Sequence, residues 1–244
     1  MKQPAERNEV IARLRGEILS TRGPVFSSHS HEYPDLGPLN RAFPEDYFPF
    51  RGTHEFISHN SETAAATLGF MAAMLSRLMK GPEMAIWVGV HRTLFPPGLK
   101  AFCLVPDRII FVDLVSEKDM LWVVEECLKC NALAAVVGEI PDVHPIAFRR
   151  LQLAVEKSGV PCLLHRHRPR NVENTVCTTR WMITPVASIT DDGLPGVGYP
   201  QWQVALLKVR NGRPGNWQLS WDGQQFQHSS TERMEEQHVH IKAG

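Results

Sequence analysis

The stretch that decides the fold is HEFISHNSETAA, residues 54–65. Its first four residues predict a short buried strand, and the Ala-rich segment from Ala64 to Met79 predicts a helix. In nucleotide-binding α/β proteins the turn between such elements spells G-x-x-x-x-G-K-[ST], because glycine N–H groups wrap the phosphates and the lysine neutralises charge. Here both glycines and the lysine are absent, and Glu62 would repel a triphosphate. The surroundings indicate a nucleotide-binding fold that has lost its phosphate chemistry.

Length and composition exclude several classes of function. The chain has 244 residues, enough for one domain with appendages and a sizeable core. Its 26 basic and 26 acidic residues cancel, so no global field draws it to nucleic acid or to an anionic membrane. It has no apolar run long enough for a membrane span and no signal-peptide pattern, and its 5 irregularly spaced cysteines fit reduced thiols. We therefore expect a cytoplasmic protein without a membrane segment.

Strand-like and helix-like patterns alternate from residue 51 onward. The strand patterns fall at 84–90, 108–114, 133–140 and 160–165, and helix patterns between them at 116–130 and 146–157. The strand patterns are short and continuously apolar, as expected when both faces of a parallel sheet are covered. After residue 180 four further strand patterns follow without helices between them. We predict an α/β fold, a mostly parallel sheet covered by helices with an antiparallel C-terminal extension.

The chain divides into three predicted parts. Residues 1–35 combine an amphipathic helix with a linker rich in Pro, Ser, Gly and His, residues 36–228 form the core with its β extension, and residues 229–244 form a polar, disordered tail. The helix carries an apolar face that packs either on a partner chain or on its own domain, and the sequence leaves both open.

A basic segment, HRHRPR at 165–170, follows a predicted strand at the sheet edge where open α/β sheets bind ligands. Its arginines could contact phosphates of nucleic acid or an acidic partner, or simply form a solvated turn. The predicted partner- or DNA-binding residues are Val10, Leu14, Ile18, Arg149, Arg150, Arg166, Arg168 and Arg170. The histidine pairs His29/His31 and His238/His240 lack an accompanying set of carboxylates or cysteines, so we expect no metal site and no cofactor.

Four segments spread over the chain carry a family resemblance. They are RTLFPPGLK at 92–100, LAAVVGEIP at 133–141, RRLQLAVE at 149–156 and LKVRNGRPGNW at 207–217. As a set they resemble the ImuA family, RecA-like proteins of a bacterial damage-induced mutagenesis cassette. The resemblance implies a RecA-like fold.

The functional positions of RecA, carried over by this resemblance, are mostly lost. Ala64 stands in place of the phosphate-loop lysine, His91 or a neighbour in place of the water-activating glutamate, and Gly138 at the second acidic position. The degenerate nucleotide-site positions are Ser58, Ser61, Glu62, Thr63, Ala64, His91, Gly138 and Glu139. Phosphoryl transfer would lack its electrostatic stabilisation, so we expect that the protein is not an enzyme.

The resemblance implies a non-catalytic scaffold in SOS-induced error-prone DNA repair by translesion synthesis. The implied partners are ImuB, an inactive relative of Y-family polymerases, together with an error-prone DNA polymerase and RecA, while contact with nucleic acid is weak or indirect. Two alternatives stay open at this point. One is a cell-division inhibitor, because ImuA-like proteins also resemble SulA, and the other is a cryptic ATPase that uses Glu139.

Overall fold

The computed structural model describes residues 34–90, 94–172, 176–189 and 198–228. These residues form one nine-stranded sheet and three α-helices. The strands are β1 Thr53–Ser58, β2 Met84–Gly89, β3 Ile109–Asp113, β4 Leu133–Glu139, β5 Cys162–His167, β6 Thr179–Ile189, β7 Tyr199–Val209, β8 Gly215–Trp221 and β9 Phe226–His228. The helices are α1 Ser61–Leu78, α2 Glu117–Leu128 and α3 Pro145–Ser158.

Three predictions fall outside the described residues. They are the N-terminal helix with Val10, Leu14 and Ile18, the role of His91, and the tail at 229–244. The division of the chain into three parts therefore stays a prediction. None of the described helices is long and apolar enough to cross a bilayer.

The sheet runs in the order β3-β2-β4-β5-β1-β6-β7-β8-β9. Strands β1 to β6 pair in parallel, and β6 to β9 pair antiparallel. The predicted mostly parallel sheet with an antiparallel extension is thus confirmed, with one correction. The first strand after residue 178, β6, is parallel to β1, because the connection from β5 crosses over β1 instead of turning back as a hairpin.

One face of the sheet packs on α1 through a cluster of aromatic rings. The ring of Trp181 on β6 lies 6.1 Å from that of Phe56 on β1 and 5.9 Å from that of Phe70 on α1, and all three side chains are fully buried. Phe70 also contacts Phe226 of β9 at 5.0 Å between centroids. Because these rings join α1 to the parallel and the antiparallel parts of the sheet, both parts share one core.

The other face of the sheet is covered by α2 and α3. Val124 of α2 and Phe148 of α3 are buried against strand residues such as Val136 and Leu164. Gly138 at the end of β4 lies directly beneath α2, and a Cβ atom there would be 3.1 Å from Cγ2 of Val124 and 3.2 Å from Cδ2 of Leu164. A side chain at this position would therefore require Val124 or Leu164 to shift by a few tenths of an ångström, so glycine permits the close approach of α2 to the sheet.

Candidate functional site

In the turn between β1 and α1, two side chains form hydrogen bonds with the backbone of the turn. Oδ1 of Asn60 accepts a hydrogen bond from the backbone N–H of Thr63 at 2.8 Å, and Oγ1 of Thr63 accepts one from the N–H of Asn60 at 3.2 Å. This capping box satisfies N–H groups that a helix start leaves without intrahelical partners. Helix α1 accordingly begins at Ser61, earlier than the predicted start at Ala64.

The charge at this turn also differs from that of a phosphate site. Glu62 lies exposed in the first turn of α1, where a carboxylate interacts favourably with the helix dipole. The same carboxylate repels an approaching phosphate, and Ala64 offers no cation to offset it. The positive end of the helix is therefore already complemented from within the chain.

The end of β1 is occupied by a small cluster of polar side chains. Oγ of Ser58 lies 2.8 Å from Nε2 of His165 and 3.1 Å from Nδ1 of His167, two residues of the adjacent strand β5. Burial lowers the pKa of His165 from 6.5 to about 4, and burial together with the nearby Arg168 lowers that of His167. Both rings are neutral at neutral pH, so this cluster does not supply the positive charge that a phosphate loop provides.

Gly138 and Glu139, which the family resemblance assigns to an acidic position of a nucleotide site, point to opposite faces of the sheet. Gly138 faces α2, whereas Glu139 points to the α1 side of the sheet, in register with His165 on β5. Oε1 of Glu139 accepts a hydrogen bond of 2.7 Å from the indole Nε1–H of the buried Trp87. The Glu139 carboxylate is thus held by a hydrogen bond from a core side chain. His91, the other predicted position, lies outside the described residues.

Arg166 is not part of an exposed basic turn, and that expectation was wrong. Strand β5 extends through His167, and the side chain of Arg166 is only 2% exposed. Its Nη1 donates to Oε1 of Glu55 at 2.7 Å, and its Nη2 donates to the carbonyl of Asn171 at 2.7 Å. The strand continues because a partner inside the protein neutralises the arginine, so this side chain is out of reach of nucleic acid or a partner protein.

The carboxylate of Glu55 is the centre of this buried ionic network. Its Oε2 accepts from Nε of Arg180 on β6 at 2.6 Å, so one carboxylate joins β5, β1 and β6. Asp142, in the connection between β4 and α3, lies 3.4 Å from Nη2 of Arg166 and accepts from the backbone N–H of Arg170 at 3.0 Å. The network therefore fixes two connections at the carboxyl edge of the parallel strands.

Sequence reasoning missed Glu55, Asp142 and Arg180. A signal was present, because Glu55 and Arg180 both lie inside stretches that predict buried strands. Buried charges are paired in folded proteins, so an acid and a base within apolar strand patterns indicate that they meet. Which base meets which acid does not follow from the spacing alone.

The other predicted arginines are exposed, in two places. Arg168 and Arg170 follow β5, and the side chain of Arg170 is 91% exposed, 3.7 Å from Asp142. Arg149 and Arg150 lie on α3, where Arg150 forms a 2.6 Å ion pair with Glu125 of α2. Arg170 and Arg150 thus lie beside different acids, Asp142 and Glu125. Within the described ranges, His, Cys, Asp and Glu side chains nowhere gather in threes as a metal site requires.

The fold and the site together define a class of protein. It is an α/β domain with a RecA-like fold, in which side chains cap the helix start where a phosphate loop would lie. A KaiC-like protein of Pyrococcus horikoshii OT3 has a similar fold, with a TM-score of 0.53 and 12% identity over 82% of this chain and 98% of that one. SulA from Pseudomonas aeruginosa matches 46% of this chain and 97% of its own at 18% identity, but a TM-score of 0.40 is too low to support an argument.

Sequence comparison identifies the family. No family model matches the chain. Protein ImuA of Caulobacter vibrioides, in strains NA1000 / CB15N and ATCC 19089 / CIP 103742 / CB 15, is 34% identical over 194 residues, 74% of this chain and 79% of the relative. The chain belongs to the ImuA family, and the family prediction from its sequence is confirmed.

Replacing Glu55 by Gln should lower the free energy of unfolding by about 3–5 kcal/mol, because it leaves two buried guanidinium groups without their carboxylate. Urea denaturation measures the loss. The matched control is Glu126→Gln, which removes an exposed pair with Lys129 (2.5 Å) and should cost less than about 1 kcal/mol. Equal losses for the two variants would contradict the assignment of Glu55 as the centre of the network.

Stability should fall as the pH drops from 6.5 towards 4, because the folded protein holds His165 neutral while the unfolded chain protonates it. Between these values the unfolded state binds more protons, and each such histidine adds a slope of about 1.4 kcal/mol per pH unit. The buried His54, whose burial likewise lowers its pKa to about 4, contributes in the same window. Urea denaturation across this range should give a shallower slope for His165→Gln than for wild type.

Proposed function

We propose that this protein is a nucleotide-independent accessory factor of DNA-damage-induced mutagenesis, acting in the cytoplasm as a scaffold for error-prone translesion synthesis under SOS control. Membership of the ImuA family and a RecA-like fold support the biological setting. The proposal that it is a pseudo-ATPase rests on the chemistry of the turn between β1 and α1.

The observation that carries the proposal is the capping box formed by Asn60 and Thr63. A triphosphate bound at this helix start would have to displace the Asn60 side chain from the N–H of Thr63 and approach Glu62 without a lysine. It would also meet Ser58 already in contact with two neutral histidines. Each of these features opposes phosphate binding, and together they favour a role in binding other proteins.

The proposed partners are those that the family resemblance implies, namely an ImuB-type polymerase relative and, with it, RecA and an error-prone DNA polymerase. Arg168 and Arg170 are exposed where β5 ends and are available to an acidic surface. The helix with Val10, Leu14 and Ile18 stays a predicted contact. Direct binding to nucleic acid is expected to be weak, because the chain has a formal net charge of zero and Arg170 lies beside Asp142.

Millimolar ATP with Mg²⁺ should leave the thermal unfolding midpoint unchanged and should give no heat of binding by calorimetry. If the protein bound ATP with a Kd one hundredth of the ligand concentration, binding would add about 2.7 kcal/mol of stability, which shifts the midpoint by several degrees. A RecA-type ATPase in the same buffer serves as the positive control. A shift of that size together with phosphate release would establish the cryptic ATPase and overturn the proposal.

Reversing the charge of both exposed arginines, Arg168→Glu with Arg170→Glu, should weaken binding to the cognate ImuB-type protein about tenfold at low salt. The difference from wild type should shrink as salt is raised, because screening acts on exposed charges. Surface plasmon resonance gives both rates, and Arg213→Glu, another exposed arginine, is the matched control. Binding that is the same in all three proteins would remove Arg168 and Arg170 from the interface.

A further inference from the structure

The turn between β7 and β8 belongs to a segment that carried the family resemblance, LKVRNGRPGNW at 207–217. The two arginines of this turn, Arg210 and Arg213, are exposed. The backbone N–H of Arg213 donates to the carbonyl of Ala42 at 2.8 Å, and the exposed Arg41 is the neighbour of Ala42 in the chain. The fold thus brings three exposed arginines from two distant segments together, and Arg41, Arg210 and Arg213 are called here the β7–β8 patch.

Most arginines elsewhere in the described part of the chain have a partner within the protein. Arg77 and Arg108 donate to backbone carbonyls, and Arg150, Arg166, Arg170 and Arg180 lie beside carboxylates. The described arginines whose side chains form neither kind of contact are Arg41, Arg149, Arg168, Arg210 and Arg213. Three of these five lie in the β7–β8 patch, and such a concentration of exposed cations indicates an anionic ligand.

Basic residues also outnumber acidic ones around the patch. Gly52 lies close to Thr178, whose carbonyl accepts from the N–H of Arg210 at 2.8 Å, so the segment before β1 reaches the turn as well. Over residues 37–52 and 207–217 the basic residues are Arg41, Arg51, Lys208, Arg210 and Arg213, and the acidic ones are Glu45 and Asp46. At the end of α3, which contacts the start of β1, Glu156 and Lys157 balance each other. The chain has no net charge, but this part of it carries a positive surplus.

Nucleic acid fits these features better than an acidic protein does. Guanidinium groups bind phosphate oxygens in a bidentate way, and a row of phosphates needs cations but no apolar cover. Residues 41–46 and 210–214 include no exposed large apolar side chain, whereas the centre of a protein interface is normally apolar. Because the exposed Tyr47 and Leu207 are near these residues in the chain, the test below includes an acidic polymer as a competitor.

We propose that the β7–β8 patch binds the phosphate backbone of nucleic acid without reading its bases. Arg41, Arg210 and Arg213 each contact a phosphate, and the release of counterions supplies most of the binding free energy. A Kd of about 1–100 μM at physiological salt is expected for such non-specific binding. This affinity agrees with the weak direct binding to nucleic acid described above. The inference goes beyond the proposed scaffold function and does not depend on it.

The patch lies at the opposite edge of the sheet from Arg168 and Arg170. Thr179 at the start of β6 pairs with Val209 at the end of β7, so the turn after β7 lies where the parallel strands begin. Arg168 and Arg170 follow the other end of the parallel strands, after β5. A protein partner at the carboxyl edge and nucleic acid at the amino edge can therefore bind at the same time.

The test is fluorescence anisotropy of a labelled oligothymidylate and of a duplex of the same length, titrated with the full-length chain at several salt concentrations. For the single strand, a plot of log affinity against log salt should have a slope of about −2, as three phosphate contacts require. Arg41→Gln, Arg210→Gln and Arg213→Gln combined should weaken binding about tenfold at low salt and remove most of the slope. The corresponding triple Lys variant should keep the slope, because it keeps the charges.

Arg149→Gln is the matched control, because Arg149 is also an exposed arginine without an ion pair among the described residues but lies on α3. It should leave the affinity and the slope unchanged, and thermal melts check that each variant is folded. Absence of binding by wild type, or equal binding by the triple Gln variant, would overturn the inference. Displacement of the oligonucleotide by polyglutamate at an equal concentration of charge would also overturn it and assign the patch to an acidic protein. Since no partner protein is present, none of these outcomes bears on the scaffold function.

Discussion

The carboxylate of Glu55 is the constraint on which the carboxyl edge of this sheet depends. It sits fully buried between two guanidinium groups, 2.7 Å from Arg166 and 2.6 Å from Arg180. Removing Glu55 would leave two buried guanidinium groups without the carboxylate that they share, which is strongly destabilising in a protein interior. Because the three residues lie on three neighbouring strands, their pairing also specifies the order in which β5, β1 and β6 come together. The connections that follow β4 and β5 are then fixed through Asp142 and Asn171.

On the opposite face of the same strands, the positions that the family resemblance assigns to a nucleotide site have partners within the chain. Asn60 and Thr63 cap α1, Ser58 contacts two histidines, and Glu139 accepts from Trp87. At a helix start a bound phosphate can satisfy the free N–H groups, and capping side chains can do the same. Here side chains of the chain itself contact these groups, while Nδ1 of the buried His165 has no hydrogen-bond partner among the described residues.

The strands and helices of the parallel part were predictable because each depends on the pattern of a short, continuous stretch of sequence. Continuous apolar runs bounded by polar turns placed β2, β3 and β4 to within a residue or two. Arg166 was misplaced for the opposite reason: its partner Glu55 lies 111 residues away, and a charged residue seen without its partner is read as solvent-exposed. The parallel pairing of β6 likewise depends on which strand the chain reaches, not on the residues of β6. For the candidate site, the sequence predicted which phosphate-binding groups are missing. It did not predict the contacts that these positions make, such as the hydrogen bond between Trp87 and Glu139, because such a contact joins distant segments and cannot be seen in either one.

The space around Gly138 limits which residue can stand at the acidic position that the family resemblance assigns to it. An acidic side chain restored at that position would not reach a nucleotide, because it would point into the contact between β4 and α2, where even a Cβ is 3.1 Å from Val124 and 3.2 Å from Leu164. Regaining the acid would require α2 to withdraw from the sheet and a carboxylate to be buried among apolar side chains. The packing of α2 on β4 thus limits the size of the residue at position 138, because any side chain there requires Val124 and Leu164 to shift.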